Sequence, residues 1–205
     1  MKTIKFLTLA FLLIGFTSCS SDDDSGTPSQ ASEFETETNL YAPQTGGQGT
    51  GEDPSGEFIK FSFSSGAITT SETEWDIAFR GTTILVNGGE ETLEGQPVRT
   101  GNGGGYIATG TFADLATVDI TAFNEDSSTD GLAIQDWYTY DGQRHMINPT
   151  PGKILVIRTH DNKYAKMEIT SYYENETPNA EIAPTNFQYY TFNYVYQANE
   201  GVTTF

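Results

Sequence analysis

After Gly56 the apolar residues of this chain recur at every second position, and that period limits its fold more than any other feature. Ile59, Phe61 and Phe63 alternate with Lys60, Ser62 and Ser64, and Trp75, Ile77 and Phe79 alternate with Asp76, Ala78 and Arg80. Successive side chains of an extended strand point to opposite faces, so each segment gains one apolar face and reads as a strand. Thr82 to Val86 adds a β-branched run, which Gly88-Gly89 ends. Lys153 to Arg158 and Tyr164 to Ile169 flank His160-Asp161-Asn162, residues that favour a tight turn, and together predict a hairpin. Met167 falls in phase with Ala165 and Ile169 and is expected in the core. Tyr190, Phe192, Tyr194 and Tyr196 share one face of a last strand. No window of twelve residues carries a helical stripe. The expected fold is all-β, an antiparallel sandwich or a strongly curved sheet. Period two assigns faces but leaves the order of strands open.

The N-terminus follows a different logic. Lys2 and Lys5 precede an apolar run from Phe6 to Phe16, followed by Thr17-Ser18-Cys19. The run is too short for a permanent membrane span and has the basic, apolar and small-residue zones of a secretory signal, expected over residues 1–18. Cys19 is the sole cysteine, so no intramolecular disulfide can form. A lone cysteine at this place looks like the acylated cysteine of a lipoprotein. The following Ser21-Asp22-Asp23-Asp24 resembles the signal that sends lipoproteins of Bacteroidetes-type bacteria to the outer face of the outer membrane. Residues 19–32, rich in serine and acids, are expected to form a flexible tether, since they cannot bury enough apolar surface to offset their ordering entropy. Low apolar content continues to about Gly56, with a short strand expected around Thr38 to Ala42. Residues 33–205 are read as one domain.

Charge narrows the partners. The chain has 28 acidic and 10 basic side chains, for a formal net charge of −18. Loss of residues 1–18 removes two of the lysines and no acid. A surface this acidic repels nucleic acid phosphates and anionic headgroups, so membrane attachment is expected through the lipid anchor only.

Most motifs that could carry chemistry read as ordinary structure. Gly101-Asn102-Gly103-Gly104-Gly105 lacks the Lys-Ser/Thr of a phosphate loop and is expected to be a glycine-rich connection. Glu125-Asp126-Ser127-Ser128-Thr129-Asp130-Gly131 offers oxygens for calcium but no terminal bidentate glutamate, and is expected to be a solvated loop. With two histidines and no Gly-x-Ser-x-Gly elbow, a catalytic triad has little to draw on, and the chain is not expected to be an enzyme. His160, in the predicted hairpin tip, is expected to be structural. His145 precedes Met146 in a segment holding Trp137, Tyr138 and Tyr140. Imidazole nitrogen and thioether sulfur both ligate haem iron, and aromatics supply a flat apolar surface for a porphyrin. Neighbouring residues on one strand face opposite ways, however, so the two converge on one iron only if the backbone turns between them. A surface histidine beside a core methionine is the alternative.

The order of several segments resembles the HmuY family of haem-binding lipoproteins. These are Trp75 to Arg80, Gly103 to Gly105, Gly110 to Thr117, Trp137, Ile157-Arg158, Asn162 to Lys166 and Tyr190 to Tyr194. The resemblance implies an all-β domain with a haem-holding cleft. It further implies a lipid-anchored, surface-exposed outer-membrane protein that takes haem b or a related tetrapyrrole, free or from haem-carrying host proteins, and passes it to a TonB-dependent receptor for iron acquisition. The best-known member ligates iron with two histidines, one on each side of the position matching Trp137. No histidine precedes Trp137 here, and Asp141 or Gly142 falls where the second is expected. His145 and Met146 are therefore the candidate iron ligands, with Trp137, Tyr138 and Tyr140 as pocket residues. Single-histidine, His/Met and ligand-free arrangements all stay open. The rival reading is a non-haem module whose aromatics stack on a glycan or peptide.

Overall fold

The computed structural model describes residues 32–47, 49–92 and 95–205; the expected signal, Cys19 and all of the expected tether but Ser32 lie outside the described residues. In chain order the strands are β1 (Phe34–Tyr41), β2 (Thr45–Gly47), β3 (Glu52–Ser55), β4 (Ile59–Ser62), β5 (Ala67–Thr69), β6 (Ile77–Arg80) and β7 (Thr83–Val86). They continue with β8 (Gly104–Thr109), β9 (Tyr138–Asp141), β10 (Met146–Pro149), β11 (Lys153–Arg158), β12 (Tyr164–Tyr173) and β13 (Phe187–Gln197). A single 3-10 turn at Glu174–Glu176 is the only helical element among the described residues. The fold is all-β and antiparallel, as the period-two pattern predicts.

Two sheets carry the core. One has the order β1-β13-β12-β11-β8 and the other β5-β4-β6-β7, while β2/β3 and β9/β10 form separate two-stranded hairpins. Phe61, Ile77, Phe79, Ile84 and Val86 from the smaller sheet meet Leu155, Ile157, Met167, Phe192 and Tyr194 from the larger in one buried cluster. Phe61 packs edge-on to Phe192 at 5.4 Å, and Phe79 lies 4.7 Å from Tyr190, so aromatic contacts join the sheets into a sandwich. Each of these side chains, fully buried, stabilises the fold by about 1.5–3 kcal/mol.

The smaller sheet is covered on both faces. Ile77 and Phe79 pair with Val86 and Ile84 and point into the sandwich, while Ala78 pairs with Leu85 on the outer side. Trp75 belongs to that outer cluster with Phe58, Ala78 and Leu85, not to the face of Ile77 and Phe79. The alternation read from the sequence fails at Trp75 because β6 starts at Ile77, and the residues before it bend. Lys166 also departs from a simple polar-out pattern: it is 5% exposed, and its ammonium donates to the carbonyls of Phe112 and Leu115, both at 2.8 Å. That pair of bonds holds the 112–115 segment against the larger sheet.

Two expectations about loops are corrected. Gly104 and Gly105 are not part of a connection: they open β8 and pair with Arg158 and Ile157. Glycine is needed next to them because a Cβ on Gly88 would overlap the Gly103 carbonyl, where two backbones cross. Asp126 is not solvated either. It is 1% exposed, ion-paired to Arg99 at 3.0 Å, and accepts the amides of Val86 at 3.1 Å and Ala133 at 3.0 Å. A buried carboxylate persists only when so partnered.

Candidate functional site

The β9–β10 hairpin is built around one carboxylate. Asp141 Oδ1 accepts the amides of Gln143 at 2.9 Å and Arg144 at 3.1 Å, and these bonds hold its carboxyl below the usual range. Met146 pairs with Asp141, so residues 142–145 form the turn, and His145 closes it with φ +53°. Histidine tolerates this left-handed region better than most residues, at a cost of about 1 kcal/mol relative to glycine. Tyr138 and Tyr140 lie two apart and share a face; Tyr140 pairs with Ile147, whose amide donates to the Tyr173 hydroxyl at 2.9 Å. The hairpin is thereby tied to β12.

On that face lies a cleft of about 720 Å³. Tyr138, Tyr140, His145 and Ile147 form one wall, Tyr172 and Phe187 come from the larger sheet, and the β6–β7 turn contributes Gly81 and Thr82. Gln44, Gly46 and Thr50, around the β2–β3 hairpin, face them. Among the described residues the lining exposes more apolar than polar surface and includes no Asp, Glu, Lys or Arg, and the volume falls in the range of roughly 300–1,000 Å³ common for small-molecule sites. At the cleft, the Tyr140 hydroxyl and His145 Nδ1 are 2.7 Å apart, the one hydrogen bond to this imidazole among the described residues. Burial pushes the Tyr172 phenol well above its ordinary pKa, so it stays protonated.

The structure thus brings three of the five expected haem-site residues together: Tyr138, Tyr140 and His145. Met146 leaves on the other side of the hairpin and lines a separate hollow of about 500 Å³ with Pro178 and Glu181. Strand alternation sends it there, and the left-handed turn at His145 does not bring sulfur and imidazole to one point. Trp137 is 2% exposed; its Nε1–H donates to the Thr82 carbonyl at 3.0 Å, and its ring packs 4.8 Å from Tyr138. It supports the cleft wall from behind rather than lining it. His160 is remote in role: its amide at 3.1 Å and Nδ1 at 2.7 Å both meet Asp76 Oδ1, while Asp76 Oδ2 accepts the Phe63 amide at 2.8 Å. The buried Asp76 carboxylate raises the His160 pKa.

Sequence reasoning missed Gln44, Gly46, Thr50, Tyr172 and Phe187. The first three sit in a stretch of the domain too poor in apolar residues to show which face they join; its one local signal was the Gly49-Thr50-Gly51 turn that joins β2 to β3. Tyr172 and Phe187 reach the cleft by tertiary packing, which no local pattern reports.

No protein-family model matches the sequence, and no curated protein matches it. Among solved structures, the chain is similar to an apo HmuY analog from Tannerella forsythia. That similarity has 13% identity and a TM-score of 0.48, covering 84% of this chain and 100% of that one. It is also similar to a Bacteroides fragilis protein assigned as a lipoprotein, at 15% identity and TM-score 0.44, over 69% of this chain and 83% of that one. A Bacteroides vulgatus protein assigned as HmuY-like and heme-binding gives 16% identity and TM-score 0.36, over 69% of this chain and 86% of that one.

Proposed function

We propose that this protein is a lipid-anchored haem-binding protein of the outer membrane, exposed on the cell surface, which holds haem or a related tetrapyrrole in the cleft beneath the β9–β10 hairpin and passes it to a TonB-dependent receptor for iron acquisition. The observation that carries the reading is the cleft itself: a cavity of about 720 Å³ lined by Tyr138, Tyr140, Tyr172 and Phe187, with no Asp, Glu, Lys or Arg in its lining among the described residues, that also presents a tyrosine hydroxyl and an imidazole. A porphyrin needs an apolar surface to lie on and a donor for its iron; Tyr138, Ile147, Tyr172 and Phe187 offer the first, and Tyr140 with His145 the second. The sequence resemblance to haem-binding lipoproteins and the lone Cys19 after an apolar run support the same assignment. Binding and relay, not catalysis, are its work.

Because no Lys or Arg lines the cleft among the described residues, the propionates of a bound haem would meet solvent or neutral donors such as Thr50 and Gln44. The test is a titration of the full chain with ferric haem, followed by absorption spectroscopy. Saturation near one equivalent with a sharpened Soret band supports the assignment. A broad, nonsaturating spectrum like that of free haem overturns it, and a glycan array then tests whether Tyr138 and Tyr140 stack on sugars instead.

A further inference from the structure

We infer that the iron ligand in this cleft is the Tyr140 phenol oxygen, and that His145 acts through it as a positioning residue and hydrogen-bond partner instead of ligating iron itself. The inference rests on the haem-binding reading above and names the atom that would carry it. Three tyrosines line the cleft, and Tyr140 is the one whose hydroxyl meets a base, at 2.7 Å from His145 Nδ1. Tyr172 is buried at 2% exposure, whereas Tyr140 is 53% exposed and open to an incoming metal. Tyr140 stands on β9, paired with Ile147 of β10, and the Ile147 amide donates to the Tyr173 hydroxyl, so the strand carrying Tyr140 is tied to the larger sheet through its partner strand. His145 stands instead on the turn, in the left-handed region. A ligand on a braced strand is held more firmly than one at a turn.

The chemistry balances within the pair. Were ferric haem bound, the Tyr140 oxygen would bond iron in place of a leaving water, and the phenol proton would go to the His145 imidazole in the tautomer whose Nδ1 accepts. Tyrosine is an established axial ligand of haem iron, and the second partner that hydrogen-bonds a ligand orients it and tunes its basicity. A hard, anionic oxygen prefers ferric to ferrous iron, so the site discriminates between oxidation states of its cargo. Met146, on the far side of the hairpin, takes no part.

The deciding experiment loads the full chain and its Tyr140→Phe and His145→Ala variants with ferric haem and, separately, with metal-free protoporphyrin, and records resonance Raman spectra with binding isotherms. The wild type is expected to show iron–phenolate modes. Tyr140→Phe loses them together with roughly 100-fold or more in ferric haem affinity, while metal-free protoporphyrin binds it within about threefold of wild type, showing the cleft intact. His145→Ala keeps the phenolate modes and loses about 10- to 100-fold in affinity. Saturable haem binding without phenolate modes, or with modes that survive Tyr140→Phe, overturns the ligand assignment and leaves the haem-binding reading standing. Absence of saturable haem binding by the wild type overturns that reading, and the ligand assignment with it.

Discussion

The two histidines form bonds of equal length and opposite kind. His160 Nδ1 and His145 Nδ1 each sit 2.7 Å from an oxygen, the first from a carboxylate that is 1% exposed, the second from a phenol that is 53% exposed. Asp76 accepts from Phe63, in the turn just after β4, and from His160 in the β11–β12 turn, so the pair fastens a turn of the smaller sheet to a turn of the larger. Tyr140 and His145 lie within one hairpin and fasten nothing beyond it. Hydrogen-bond length alone therefore says little about role; what surrounds the pair decides whether its energy goes into folding or remains available to a ligand.

Substitutions should separate the two sites in a definite order. The largest effect is expected for Asp76→Ala, which leaves the Phe63 amide and the His160 imidazole without their acceptor and costs about 3 kcal/mol, read as a drop in the urea midpoint. His160→Ala is expected to cost about 1–2 kcal/mol, and this cost should depend on pH. Asp76 raises the folded-state pKa of His160 above the ordinary 6.5, so its stabilisation is complete below the unfolded value and is lost as pH rises through the raised one. The difference between wild type and His160→Ala should thus hold steady below pH 6.5 and shrink as pH rises from there through the raised folded-state value. A gap that widens over this interval would reverse the assigned coupling.

His145→Gly is expected to act in the other direction. Glycine adopts φ +53° without strain, so the variant should match or exceed wild-type stability by up to about 1 kcal/mol while weakening ferric haem binding. The smallest stability effect is expected for Tyr140→Phe, within about 0.5 kcal/mol in urea denaturation, since its exposed hydroxyl bonds no other element. Marked destabilisation by either substitution would mean the hairpin pair serves the fold as Asp76 and His160 do.

The same contrast explains what could be read from the sequence. Ile59, Phe61, Phe63 and the Tyr190 to Tyr196 run carry a periodic signal because a sheet face repeats every two residues, and they fall where that period places them. β1 begins at Phe34, four residues before the expected strand, since pairing with β13 imposes an extended backbone on Phe34-Glu35-Thr36-Glu37 that its own composition does not announce. Asp76 and Asp126 read as ordinary acids, and only the amides that surround them in the fold show them to be buried anchors. The cleft was half legible. Tyr138, Tyr140 and His145 are close in sequence and meet through a local turn, whereas Gln44 with Thr50, Tyr172 and Phe187 converge from three separate stretches. Met146 follows His145 in sequence yet lines a different hollow, because whether the backbone turns between them depends on a geometry that the residues do not specify.

The β9–β10 hairpin shares no backbone ladder with either large sheet and hangs from them by side chains such as Tyr173. Its chemistry can consequently drift without cost to the scaffold. A lineage could exchange residues 141–146 for another donor set and retarget the cleft to a different cargo in a few substitutions, while the sandwich that carries it stays under separate selection.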